Sequence, residues 1–442
     1  MSSVVFLSLP GLREKDAAGM KSLQSRARGG GQVPLSPHFP AVTWPVQANF
    51  ITGKLPNEHG VVANGFFWRD RGVVEMWTAK NSVIQASQIW DDLHEWNPPR
   101  RSAVWFPMLS KESGADYVCM PAPIHNPDGS ESLWCYTTPR EFYGELLDRF
   151  GHFPLQHFWG PLANIESSKW IAQTAAFAFE KFHPDFFYLY LPHLDYAAQK
   201  TGPDSAAAAE AVEELDGVLE AMMAQFEAAA DGEMIWIWAG EYAITDVDHV
   251  VYPNRLLREA GWLKVQDEGN GGEQLDVTGS PAWTLVDHQC GHVFVHPQAS
   301  DQIPRIAAMF SKCDGIAEVL TGEDRRRYGL DHARSGEIVL VSAPNSWQAY
   351  YWWEDDARAP AYARTVDIHR KPGYDPVELF FDPATRSIPL EATLVKGSHG
   401  APVTRECQKA VLGCSCDGLL PETEPTDIDV RRVIERALQA GS

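Results

Sequence analysis

The sequence predicts an α/β fold: a mostly parallel sheet flanked by helices, with a small inserted α+β cap. Three observations carry that reading. Short apolar runs bounded by turn residues recur as buried strands, helical stretches with three- and four-residue apolar spacing separate them, and beyond Asp248 the alternation gives way to shorter units.

The run Val4 to Leu9 is the first strand, since parallel strands buried on both faces read as near-continuous apolar segments. It is too short to span a membrane and lacks a basic leader or small-residue cleavage site, so a cytoplasmic protein without membrane contact is expected. Thr43 follows in a punctuated loop, FPAVTWPVQANFITGKLPNEHG, at an expected N-cap, with Pro45 fixing an early helical φ and Gly53 ending the segment. Ala103 to Phe106, Phe186 to Leu191 and Met234 to Trp238 are the further strands. Glu141 to Phe150, Ser167 to Phe182 and the Ala- and Glu-rich Ser205 to Ala230 are the helices between them.

The expected cap spans 248–350, with a helix at NRLLREAGWL, an acidic Gly-rich turn at Asp267 to Glu273, a strand at His292 to Val295, a helix at Ser300 to Ser311 and a strand at Glu337 to Ala343. The core is then 1–247 with 351–402. Residues 403–442 read as a tail, a loop followed by a short helix at Asp427 to Ala440. No internal repeat is visible.

Hydrophobic residues make up 44 % of the 442, with 16 Trp, enough for a sizeable core. A formal charge of −22 disfavours a nucleic acid polymer as partner, while a small phosphorylated molecule is compatible if a cation neutralises the site locally. The seven Cys are odd in number and scattered, which fits a reducing compartment. Cys414 and Cys416 have no companion pair, so no structural zinc is expected.

A helix N-terminus favours negative charge, so Thr43 is placed where an alkoxide or a phosphoryl oxygen would be stabilised. PAVTWP followed by TGKLPNEHGVVANGFFWRD resembles the nucleophile region of the type I phosphodiesterase/nucleotide pyrophosphatase branch of the alkaline phosphatase superfamily. The resemblance implies that Thr43 accepts the phosphoryl group and that Asn64 binds one of its oxygens. Further segments repeat it with departures. In PHLDYAAQKTGPD, Asp195 matches a metal-binding Asp, but Gln199 stands where a His is expected. In WIWAGEYAI, Glu241 and Tyr242 replace an Asp-His pair, and in VVFLSLPGL, Pro10 replaces a carboxylate before Gly11. In KGSHGAP, His399 matches the late metal-binding His.

The chain offers substitutes for the missing ligands. WTLVDHQCGHVFV places Asp287, His288 and His292 in one run, where His288 and His292 would share a helical face. RTVDIHRKPGYDP places Asp367 and His369 on one face of a strand. The bland alternative pairs Asp287 and Asp367 with arginines such as Arg364 and Arg370.

The resulting expectation is a hydrolase of a small phosphoester, diester or monoester, with Thr43 attacking phosphorus in line and two divalent cations about 4 Å apart. Zinc is favoured, with manganese or magnesium as alternatives. Asp195, His369 and His399 form the first expected metal site, and Thr43, Glu241, His288 and His292 the second. Pro10, Gln199 and Tyr242 motivate another class, a pseudoenzyme that binds a small molecule or protein partner without turnover. A mutase, or a hydrolase of phosphonates or sulfates, is also compatible with this scaffold.

Overall fold

Five apolar strands lie parallel at the centre of the computed structural model, which describes residues 2–27, 29–125, 131–269 and 271–441. In chain order the main elements are β1 (Ser3–Ser8), β2 (Gly31–Leu35), α1 (Thr43–Thr52), β3 (Ser102–Trp105), β4 (Tyr117–Pro121), β5 (Cys135–Thr138), α2 (Phe142–Phe150), α3 (Ile165–Phe182), β6 (Phe186–Tyr190), α4 (His193–Thr201), α5 (Ala206–Ala229), β7 (Met234–Ala239), α6 (Pro253–Glu259), β8 (Ala282–Asp287), β9 (Cys290–Val295), α7 (Ile303–Phe310), β10 (Ile316–Thr321), β11 (Ile338–Ser342), β12 (Ala410–Cys414) and α8 (Asp427–Ala440). The main sheet runs β2-β12-β7-β1-β6-β3-β4-β5. β7, β1, β6, β3 and β4 are mutually parallel, β12 is antiparallel to both its neighbours, and β5 closes the other edge antiparallel to β4.

The four strands read from apolar runs all lie in this sheet, and the reason is the burial that predicted them. Val4 to Leu7 and Phe186 to Leu189 are wholly buried, β1 being flanked by β6 and β7 and covered on both faces. One face packs α1, α8 and the segment around Val61 and Phe66, and the other packs α2, α3 and α5.

The expected tail is in part core. β12 enters the main sheet between β2 and β7, pairing Leu412 with both Val33 and Ala239. Its five residues, AVLGC, are too few to stand out from a loop. Gly413 is required there, because a Cβ would meet the Trp238 ring at 2.0 Å. α8 packs along α1: Asn49 donates to the buried Asp427 carboxylate (2.7 Å), and Arg431 donates to the carbonyls of Ile51 (3.2 Å) and Thr52 (3.1 Å) at the C-terminal end of α1.

A second, antiparallel sheet, β8-β9-β11-β10, is built between Ala282 and Ser342 and has its own apolar core. That core extends to Tyr350, Trp352 and Trp353, then to Val377 and Val395. β8 and β9 form a hairpin whose two-residue turn is His288-Gln289, with His288 at φ 57°. The helical face expected for His288 and His292 is therefore replaced by a turn and a strand. Asp367 and His369 likewise lie in a turn, not a strand: Asp367 Oδ1 accepts from the backbone N–H of His369 (3.3 Å) and Arg370 (3.1 Å). No helix among the described residues is long and apolar enough to cross a membrane.

Candidate active site

The carboxyl ends of β1, β6 and β7 converge on the N-terminus of α1, as ligand sites do in parallel α/β sheets. Val42 is the N-cap of α1, and Thr43 is the first helical residue, one position further in than the expected cap. The side-chain carbonyl of Asn64 replaces a local cap by accepting from the Trp44 N–H (2.8 Å).

β7 ends at Ala239, and Gly240 turns the chain so tightly that a Cβ there would lie 2.3 Å from the Leu12 carbonyl oxygen. The turn delivers Glu241 and Tyr242. Glu241 Oε1 accepts from Ser8 Oγ (2.6 Å) at the end of β1 and from Gln47 Nε2 (2.8 Å) on α1, while Oε2 is buried without a partner. Burial pushes Glu241 up to about 8. Tyr242 Oη lies 3.2 Å from Thr43 Oγ and donates toward Asp195 Oδ1 (3.4 Å) in the first turn of α4, where burial raises Asp195 to about 7.

Above this chain of hydroxyls stands a column of four rings. Tyr242 stacks on His399 (centroids 3.4 Å, planes 5° apart), His399 on His288 (3.7 Å, 41°), and His288 on Tyr374 (3.8 Å, 20°). Tyr374 Oη donates to Gln199 Oε1 (2.8 Å), one helical turn after Asp195. The α4 helix therefore grips both ends of the column, through Asp195 and through Gln199. His399 is set by Gly400 at φ +112°, a conformation natural to glycine. Its Nδ1–H donates to the Ala41 carbonyl (2.8 Å), which fixes the tautomer and leaves Nε2 a buried lone pair without a partner. Burial lowers His399 to about 3 and His288 well below its ordinary value, so both rings are neutral.

Thr43, Asp195, Glu241, His288 and His399 are thus brought together, His369 shares the cavity wall with three of them, and His292 lies apart. His292 is spent on structure: Nε2–H donates to the Val62 carbonyl (3.1 Å) and Nδ1 accepts from the Gly336 N–H (3.2 Å), bracketing the segment that carries Asn64. His369 sits in the cavity wall, with Nδ1 3.1 Å from the Met76 carbonyl. Asp287 pairs with no arginine among the described residues but accepts from the backbone N–H (2.8 Å) and side-chain amide (3.0 Å) of Asn64. Asn64 is in this way held rigidly between Trp44 and Asp287. Asp367 does pair with Arg370 (2.5 Å). Tyr374, Ser8 and Gln47 escaped sequence reasoning. The only signal for Tyr374 was its place in KPGYDP, whose interest had been assigned to Asp367 and His369.

Thr43, Asp195 and His288 form part of the wall of a cavity of about 890 Å³, otherwise largely apolar. Two of its walls are pinned by one carboxylate: Glu378 accepts from the Trp159 indole (2.6 Å) and the Asp367 N–H (2.9 Å). Glu378 is itself paired with the buried Lys371 (2.5 Å), which also bonds Asp375 (2.8 Å).

Residues 4–375 match the family model of type I phosphodiesterase/nucleotide pyrophosphatase. The chain belongs to that family. No curated protein matches it in sequence. Among solved structures it is similar to phosphonoacetate hydrolase from Sinorhizobium meliloti 1021 in complex with phosphonoformate, at 17 % identity and a TM-score of 0.63 over 100 % of this chain and 96 % of that one. It is also similar to an inactive variant of murine ectonucleotide pyrophosphatase/phosphodiesterase 5 in complex with AMP, at 14 % identity and a TM-score of 0.62 over 99 % of this chain and 95 % of that one. These likenesses show the alkaline-phosphatase-like fold.

The family implies divalent cations, and several buried donors at this site are without a partner. Asp195, bonded to Tyr242, and the unpartnered Nε2 of His399, stacked on Tyr242, offer a carboxylate and an imidazole. At the second position Pro10 stands for a carboxylate and a phenol ring lies flat on His399, while Glu241 Oε2 and His288 Nδ1 are buried without a partner. No group of three or more His, Cys, Asp and Glu among the described residues is arranged as a metal centre.

Proposed function

We propose that this chain is a metal-dependent hydrolase of a small phosphoester with Thr43 as nucleophile. The observation that carries the reading is the position of Thr43, in the first turn of α1 and in the wall of the cavity, its hydroxyl facing Tyr242. Tyr242 donates toward Asp195, so its oxygen is free to accept a hydrogen bond from the Thr43 hydroxyl and turn a lone pair of Oγ toward an incoming phosphorus. Attack forms the Oγ–P bond as the ester P–O bond breaks, the Thr43 proton leaving with the departing oxygen as an alcohol, and water then hydrolyses the phosphothreonine, giving one proton back to Oγ and the other to solvent. The N-terminus of α1 favours the negative charge of the phosphoryl group. A divalent cation held by Asp195 and His399, zinc being the best match to a carboxylate and an imidazole, would supply charge neutralisation and lower the pKa of a nearby hydroxyl. The Thr43→Ala variant should lose turnover of an aryl phosphodiester while keeping its metal content; undiminished turnover removes Thr43 from the chemistry.

A second reading is favoured by Gln199 and Tyr242, which stand where the family carries metal-binding His, Tyr242 lying flat on His399: a binding protein of the same fold without turnover. Elemental analysis together with the same assay separates the two. Purified protein with neither bound metal nor phosphodiesterase activity after metal addition supports the binding protein.

A further inference from the structure

The composition of the cavity wall speaks to what the ester carries. Trp77, Phe158, Trp159, Tyr190, Tyr196 and Tyr374 line it. They are held in place: Trp159 by Glu378, Tyr196 by a hydroxyl bond to the Phe158 carbonyl, and Tyr374 by Gln199 and by packing against Trp159 (centroids 5.3 Å) and Trp77 (6.2 Å). The apolar wall reaches the surface, since Leu133 and Val366 also line it and are 37 % and 46 % exposed. Charge is arranged differently. Arg370 is the only Lys or Arg among the described lining residues, and its guanidinium is already paired with Asp367. Asp195 and Asp367 add carboxyls, and the whole chain carries −22.

A phosphate beyond the one at Thr43 would therefore enter an aromatic space poor in cations among the described residues, where an unpaired charge is strongly disfavoured. A bulky apolar group would displace water from rigid rings at small entropic cost. We infer that the cavity takes the bulky apolar ester group of a phosphodiester bearing a single negative charge, and selects against pyrophosphate linkages. This deepens the phosphoester-hydrolase reading and rests on it for the position of the phosphorus.

The test uses bis(4-nitrophenyl) phosphate and methyl 4-nitrophenyl phosphate, which both release 4-nitrophenolate, and P1,P2-bis(4-nitrophenyl) diphosphate, whose cleaved linkage releases 4-nitrophenyl phosphate, with all products followed by phosphorus NMR. For the wild-type protein, kcat/KM should be at least about 10-fold higher for the first than for either of the others. The same order should appear in Kd for the Thr43→Ala variant, read from quenching of tryptophan fluorescence. Val366→Arg, which adds a cation at an exposed edge of the cavity, should narrow the gap for the diphosphate ester several-fold and leave the methyl ester's disadvantage in place. Equal or better use of the diphosphate ester, no advantage of aryl over methyl, or no binding of any ester by the Thr43→Ala variant overturns the inference. Binding in the expected order without turnover by the wild type upholds the cavity's selectivity and fails the hydrolase reading instead.

Discussion

Tyr242 lies flat on His399, ring planes 5° apart and centroids 3.4 Å apart, while its hydroxyl reaches Thr43 on one side and Asp195 on the other. One residue thus packs the column of rings and orients the proposed nucleophile. The two roles separate in Tyr242→Phe, which keeps the ring and removes the oxygen. Turnover of an aryl phosphodiester should fall about 10- to 100-fold, carried by kcat, with the melting temperature nearly unchanged. Wild-type kcat in this variant would show that the hydroxyl has no part in orienting Thr43.

Gln199 faces the other end of the column and is completely buried. An imidazole there, on the helix that carries Asp195, would add a nitrogen donor one turn away. Gln199→His should tighten zinc binding about 10-fold or more, measured by competition with a chromophoric chelator. Unchanged affinity would mean that Asp195 and His399 do not share an ion.

His292 makes two hydrogen bonds to backbone and none to Thr43, Asp195 or His399. His292→Ala should therefore cost about 2–4 kcal/mol of stability, through a cavity and an unsatisfied buried carbonyl and N–H, and leave bound metal per protein unchanged. Urea denaturation and elemental analysis check the two halves. Loss of metal in a folded variant would return His292 to the ligand set.

Buried titrating groups set the pH dependence of stability. Burial raises Asp195 and Asp287 to about 7 and Glu241 to about 8, so the folded chain keeps protons that the unfolded chain has released, and stability falls as pH rises toward those values. Burial lowers His59 and His399 to about 3 and His292 to about 4, so the unfolded chain takes up protons first and stability falls as pH drops below 6.5. The sets oppose each other below 6.5, while above it the carboxyls continue to lower stability. In chelator-treated protein the melting temperature should change little from about pH 5 to 6.5 and then drop by several degrees by about pH 8.5. A rise across that upper range would show that these carboxyls are already ionised in the folded state.

The central sheet was legible because its middle strands are buried on both faces, so Val4 to Leu7 and Phe186 to Leu189 read as unbroken apolar runs. β12 was not, since a five-residue strand with a glycine at its fourth position carries no periodic signal. At the site, Thr43, Asp195 and His399 stood out through the motifs around them. The spacing of His288 and His292 misled, because four residues span one helical turn but also a hairpin turn, and pairing across β8 and β9 decides between them. Tyr374 depends on chain folding over 175 residues to meet Gln199, which no local pattern announces.

The placement of β12 and α8 bears on when this protein becomes competent during synthesis. The helix that presents Thr43 is made early, yet its far end is secured by Arg431, and the sheet beneath it lacks an internal strand until residues 410–414 arrive. Pairing of such sequence-distant segments is the slow part of folding. A ribosome-bound chain ending before residue 410 would hold every side chain of the candidate site and no finished frame to align them.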